Sequence, residues 1–215
     1  MQRKFFDVFA SAIGAVMVVA LLVAGSLLMW GYSFANSNVH NQLAAQDITF
    51  PTAAEFAHAK AGTEITPQML PYLLQYAGQP LTTGAQAEAY ANHFIAYHLA
   101  EMPYHGVYAT VSTASRADPS NAKLAAEVQT VFTGTTLRGL LLEAYAFSVL
   151  ATIAFWAGIA AFVLAGIMAV LVAFGFWHAR RTRADEELVV HNDHLVVSTE
   201  QDGNGHVKDV EAVTA

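Results

Sequence analysis

The stretch AYAFSVLATIAFWAGIAAFVLAGIMAVLVAFGFW, residues 144 to 177, carries a single titratable side chain, the phenol of Tyr145. A run this far beyond the roughly 18 apolar residues of a spanning helix has no place in a water-soluble domain and reads as transmembrane. Ala10 to Tyr32 is a second such stretch, with no ionisable group before its terminal tyrosine. The chain as a whole agrees. It has 215 residues, of which 55% are hydrophobic and only 13% charged, a balance that points to the bilayer as solvent.

Aromatic residues set the limits of the spans. Phe9 and Trp30 bracket the first and Trp156 and Trp177 the second. At about 1.5 Å per residue each pair is separated by about the 30 Å of a hydrocarbon core. The apolar run ahead of Trp156 then has another role. Leu137, Leu140, Leu141, Ala144 and Ser148 follow three-and-four spacing, which predicts one long helix over residues 136–177 whose outer part packs under a domain.

Basic residues orient the chain. Arg3 and Lys4 precede the first span, and Arg180, Arg181 and Arg183 follow the second. The segment between carries only Lys60, Arg116, Lys123 and Arg138. Both termini are therefore assigned to the cytoplasm and residues 33–155 to the outside. The expected organisation is a cytoplasmic N-terminus (1–9), a first span (10–32), a helical extracytoplasmic domain (33–135), the long helix, and a cytoplasmic acidic tail (178–215). A competing reading takes the first span as a signal peptide cleaved after Ala35, since Ser33-Phe34-Ala35 has the small-x-small form. Its apolar stretch is longer than the about 7 to 15 residues of a signal h-region, which favours an uncleaved anchor.

In the second span Ala157, Ala161, Ala165, Ala169 and Ala173 recur every four residues. Small side chains admit a close helix neighbour, so these five form the expected packing stripe, its partner being either the first span, where Gly14, Ala20 and Ala24 are available, or a helix of another protein.

Pro and Gly punctuate the segment between the spans, and no strand signal of useful length occurs. The fold class is therefore an all-α membrane protein with two spans flanking a small helical domain. Thr83 and Gln86 have capping-box spacing and open a helix through about Met102. Asp118-Pro119 predicts an N-cap and a first-position proline for a helix through about Phe132.

The candidate chemistry lies in HFIAYHLAEMPYHG, residues 93 to 106. On a straight helix at about 100° per residue, His98 shares a face with Ala87, Ala91, Phe94, Ile95 and Met102. His93 falls about 140° away, so those two histidines cannot chelate one ion. A metal site would need His98, Glu101 and His105 to converge across the turn at Pro103. The alternative makes His98 a neutral histidine bonded to a backbone carbonyl or a tyrosine.

Glu143, in a largely apolar context, has two readings: a partner for Arg138 or a domain residue, or an element of an ion path. No cysteine is present, which excludes disulfides and thiolate chemistry. No Walker loop, dinucleotide fingerprint or nucleophile elbow occurs, and no cofactor is expected. A net charge of −7 without a basic stripe argues against nucleic acid as a partner. The tail from Ala184 onward is acidic and expected to be disordered, with LVVHNDHLVV at residues 188–197 as a weaker hairpin candidate.

At LPYLLQYAGQPLTTGAQAEAYANHFIAYHLAE and TLRGLLLEAYAFSVLATIAFWAGIAAF the chain resembles a group of actinobacterial two-span membrane proteins with a helical outer domain and no assigned activity. The resemblance covers about residues 41 to 183 and implies a bacterial plasma membrane location. It supplies no functional residues. The expected role is a non-enzymatic accessory or structural subunit of a larger envelope complex or homo-oligomer, with an extracytoplasmic ligand-binding or sensing protein as the alternative.

Overall fold

The computed structural model describes residues 3–181, with side chains from Val8 onward. The expectations for the tail beyond Arg181, disorder and the 188–197 hairpin included, lie outside the described residues. Within them the chain is all-helical, and two helices dominate it: α1 (Arg3–Ala44) and α7 (Ala122–Arg181). Each contains a window long and apolar enough to cross a membrane. Between them lie α2 (Ala53–Ala57), α3 (Leu70–Leu73), α4 (Gly84–Tyr90), α5 (Ala96–Glu101) and α6 (Tyr108–Ala117).

α1 does not end at Tyr32 but continues to Ala44, because no Gly or Pro interrupts residues 32 to 44 and the inward positions recur as Ala35, Val39 and Leu43. α7 begins at Ala122, fourteen residues before Thr136. The helix expected from Asp118 to Phe132 and the long helix from Thr136 are thus one element. Pro119 lies ahead of it in a turn where the Ser120 hydroxyl donates to Asp118, and Asn121 supplies the cap by accepting the Leu124 N–H at 3.0 Å. The side-chain acceptor sits two residues beyond the proline, so the helix opens there.

The two long helices pack antiparallel. On α1 the inward positions are Ser11, Gly14, Val18, Leu21, Gly25, Leu28, Tyr32, Ala35 and Val39. On α7 they are Ala151, Ala154, Gly158, Ala161, Ala165, Met168, Val172, Gly175 and Ala179. Both series alternate steps of three and four, the seam of a left-handed coiled coil. Close approach is made where glycine faces a bulkier side chain: Gly25 against the Phe162 ring, Gly158 against Met29, and Gly14 against Val172.

Against α1 the expected alanine stripe is met only in part. Ala161 and Ala165 are buried in it, whereas Ala157, Ala169 and Ala173 are exposed, as are Ala20 and Ala24 of α1. A four-residue step advances about 400° around an α-helix, so such a stripe drifts about 40° per step and winds off any straight partner.

A small helical domain is built on the extended ends of this pair. Phe50, Phe56, Met69, Leu73 and Leu81 are at most 1% exposed and close over Val39 and Leu43 of α1, Ala87 and Ala91 of α4 and its extension, and Leu141 of α7. The connecting loops hold one another by backbone bonds, Leu81 N–H to the Ile48 carbonyl at 2.8 Å and Gly78 N–H to Pro51 at 3.0 Å. Two capping boxes fix local direction. Thr52 with Glu55 opens α2, and Thr83 with Gln86 opens α4 as the spacing predicts.

Candidate functional site

The helix from Gly84 to Glu101 is not straight. Ala91–Ile95 form a π turn in which the Ala96 N–H reaches back five residues to the Ala91 carbonyl. The extra residue in the turn resets the angular phase, so the about 140° separation of His93 and His98 drawn on a straight helix does not hold. Each ring nevertheless has its own neighbour. His93 stacks on Tyr72 with ring centroids 3.5 Å apart and planes within 1°. His98 donates from Nδ1 to the Phe94 carbonyl at 2.8 Å and packs on the Phe94 ring at 4.5 Å.

His98, Glu101 and His105 are not brought together, and among the described residues no group of three such side chains surrounds a common point. Glu101 and His105 are exposed. The cause lies in the chain after Pro103, where Tyr104, His105 and Gly106 all take left-handed conformations, φ 54°, 53° and 62°. Gly106 closes this turn against the Leu99 carbonyl, where a Cβ would collide. His105 is left on the outside of the turn.

The π turn places Asn92 opposite α7. Asn92 accepts from Arg138 Nη2 at 2.9 Å and donates to Glu88 at 2.8 Å, while Arg138 Nε is buried without a partner. Arg138 thus bonds to Asn92 rather than to Glu143, the partner considered from sequence, and it ties α7 to the domain from a half-buried position.

Two exposed surfaces among the described residues bear on function. At the far end of the domain Tyr104, Val107, Tyr108 and Phe132 are each more than 40% exposed. The rings of Tyr108 and Phe132 are 5.6 Å apart, so they form one patch. Beyond Trp30 a groove of about 510 Å³ runs between the extended end of α1 and the part of α7 that faces it, residues 137–147. Val39, Leu43, Leu141 and Ala144 form its floor, and Phe34 and Phe147 its lower rim. Gln42, Gln46 and Glu143 give its polar lip.

None of these groove and patch residues was singled out as a site from sequence, apart from Glu143. The available signal was Ala35, Val39 and Leu43 at four-residue spacing beyond Tyr32, which announces that the first helix continues into the domain. For the aromatic patch there was none, because Tyr108 and Phe132 come together only when α6 lies against α7. Comparison with protein-family models, curated proteins and solved structures finds no match to this chain.

Proposed function

We propose that the chain is a two-span protein of a bacterial plasma membrane, both termini cytoplasmic and residues 33–155 outside, serving as a non-enzymatic accessory or structural subunit of a larger envelope complex. The antiparallel pairing of α1 and α7 supports the topology. It sets the Arg3 and Lys4 end beside the Arg180 and Arg181 end, and it leaves large apolar residues such as Val16, Leu27, Val163 and Leu171 facing outward, each more than half exposed. Such a surface is stable in hydrocarbon and costly in water. Trp30 and Trp156, 66% and 63% exposed, mark the outer interface, and Arg181 lies over the Trp177 ring at 4.2 Å near the inner one.

The observation that carries the subunit reading is the aromatic patch. Phe132 stands 24 residues of continuous helix beyond Trp156, about 36 Å at 1.5 Å per residue, so lipid does not cover it. Exposed aromatics clustered on one surface are characteristic of protein interfaces. Two adjacent non-glycine residues in left-handed backbone cost about 1–2 kcal/mol each, and strain of this kind concentrates at functional surfaces. Copurification of the full chain in mild detergent tests the reading. A partner should be recovered in fixed ratio with the native chain and lost from a Tyr108→Ala, Phe132→Ala variant; a monomer in both refutes it.

A second reading, an extracytoplasmic ligand-binding protein, is favoured by the groove. Its volume is within the range of small-molecule sites, and mostly apolar walls with a few polar groups are their usual lining.

A further inference from the structure

We propose that the groove between α1 and α7 binds the hydrocarbon chain of an outer-leaflet amphiphile whose head is uncharged and donates hydrogen bonds, as in a long-chain alcohol or an acylglycerol. The inference rests on the two-span reading, and three observations carry it further.

The first is position. Phe34 lies four residues past Trp30, and Phe147 nine before Trp156, so the lower rim stands only about 6 to 14 Å above the aromatic belt. The rim residues Phe34 and Phe147 are 58% and 51% exposed and continue the lipid-facing surface upward. A chain entering from the outer leaflet meets apolar side chains at the rim.

The second is length. The α1 wall runs from Phe34 to Gln46, about 18 Å of helix, and one leaflet of a 30 Å hydrocarbon core is about 15 Å deep. The groove therefore accepts one chain of membrane length, extended along Leu141, Ala144 and Phe147.

The third is charge. Glu143 is the one charged residue of the lining, and the remaining polar groups are the amides of Asn38, Gln42 and Gln46. The Asn38 amide already donates to the Phe34 carbonyl at 2.9 Å. A hydroxyl can donate to the Glu143 carboxylate, whereas a carboxylate or phosphate head meets a like charge with no cation beside it.

The test uses the full chain in phosphatidylcholine vesicles with two photoactivatable diazirine probes, hexadecanol and hexadecanoate, the latter ionised, followed by peptide mapping. Hexadecanol should label residues 34–46 and 137–147, and hexadecanoate should do so about threefold less, the scale of one exposed charge interaction. Leu140→Trp, which fills the groove from a site 58% exposed, should abolish groove labelling by both. Glu143→Gln should remove the difference between the probes. Unlabelled groove segments, equal labelling in the native chain, or labelling indifferent to Leu140→Trp would overturn the proposal. So would a photoreactive residue at position 140 that cross-links to a polypeptide in native membranes. Labelling of residues 10–32 and 156–177 reports separately on the two spans, so failure of the groove and failure of the topology are told apart.

Discussion

Gly84 lies against Ser148 with no room for a side chain: a Cβ at position 84 would overlap the serine and stand 3.3 Å from the Tyr145 Cα. This contact seats the start of α4 on the long helix, and farther along Leu99 covers Gly134 in the same way. The small domain is thus fastened to α7 through glycines that let a neighbouring side chain seat directly on backbone.

Gly84→Val should therefore lift α4 from α7 and destabilise the domain by about 1–3 kcal/mol, the usual cost of overpacking. Thermal unfolding of the purified protein measures it. Gly84→Val with Ser148→Ala should recover part of the loss, whereas Gly139→Ala, at a glycine inside α7 with open space around it, should stabilise by about 0.5–1 kcal/mol.

The seam can be tested by cross-linking, since the chain has no cysteine of its own. A Cβ at position 175 would stand 3.5 Å from the Ser11 Cβ, at the short edge of the disulfide range of about 3.5–4.5 Å. Ser11→Cys with Gly175→Cys should oxidise rapidly within one chain. Ser11→Cys with Ala173→Cys should not, because Ala173 faces outward. Equal yields from the two pairs would reject the three-and-four seam.

Asn92→Ala should cost about 1–3 kcal/mol, because it leaves the half-buried Arg138 guanidinium without its acceptor. Arg138→Met removes the unpartnered Nε along with the charge and fills the space with a flexible apolar chain, so its cost should be smaller. A double-mutant cycle by chemical unfolding should give a clear coupling between the two positions, since they are in direct contact. Additive effects would mean that the bond contributes nothing to stability.

Glu55 supplies a pH response. The Thr52 N–H, at 2.6 Å, and then the Thr52 hydroxyl, at 2.8 Å, hold its carboxyl below the usual carboxylate value. A lowered folded-state pKa means that this capping contribution is complete above the unfolded value, about 4.3 for glutamate, and is lost as pH falls through the folded one. Hydrogen exchange at α2 should accelerate relative to α4 as the medium is acidified below that point. Glu55→Gln should abolish the difference; a variant that keeps the acid response would place its origin elsewhere.

Much of the local structure was legible in the residues. Thr83 and Gln86 form the capping box that their spacing announces, and the two apolar runs become the two long helices. The metal candidate was open in sequence because His98, Glu101 and His105 are close in number. It was decided by backbone conformation, with three consecutive left-handed residues turning His105 outward and the Phe94 carbonyl engaging His98. Tyrosine at 104 gives no signal of that conformation and histidine at 105 only a weak one, because few residues other than glycine adopt it.

The sequence by itself determined that two long helices are apolar enough to cross a membrane, where their aromatic residues lie, and that the segment between them is helical. These follow from transfer free energies and hydrogen-bonding preferences that each residue carries wherever it sits. Only the tertiary structure decided which alanines meet α1, that the helix after Asn121 and the second apolar run are one element, and that the helix at Ala91–Ile95 widens to aim Asn92 at Arg138. These depend on the angle accumulated along a helix and on the shape of the surface it meets. A drift of about 40° per four-residue step separates Ala161 and Ala165, buried against α1, from Ala157, Ala169 and Ala173, which share their spacing and face away.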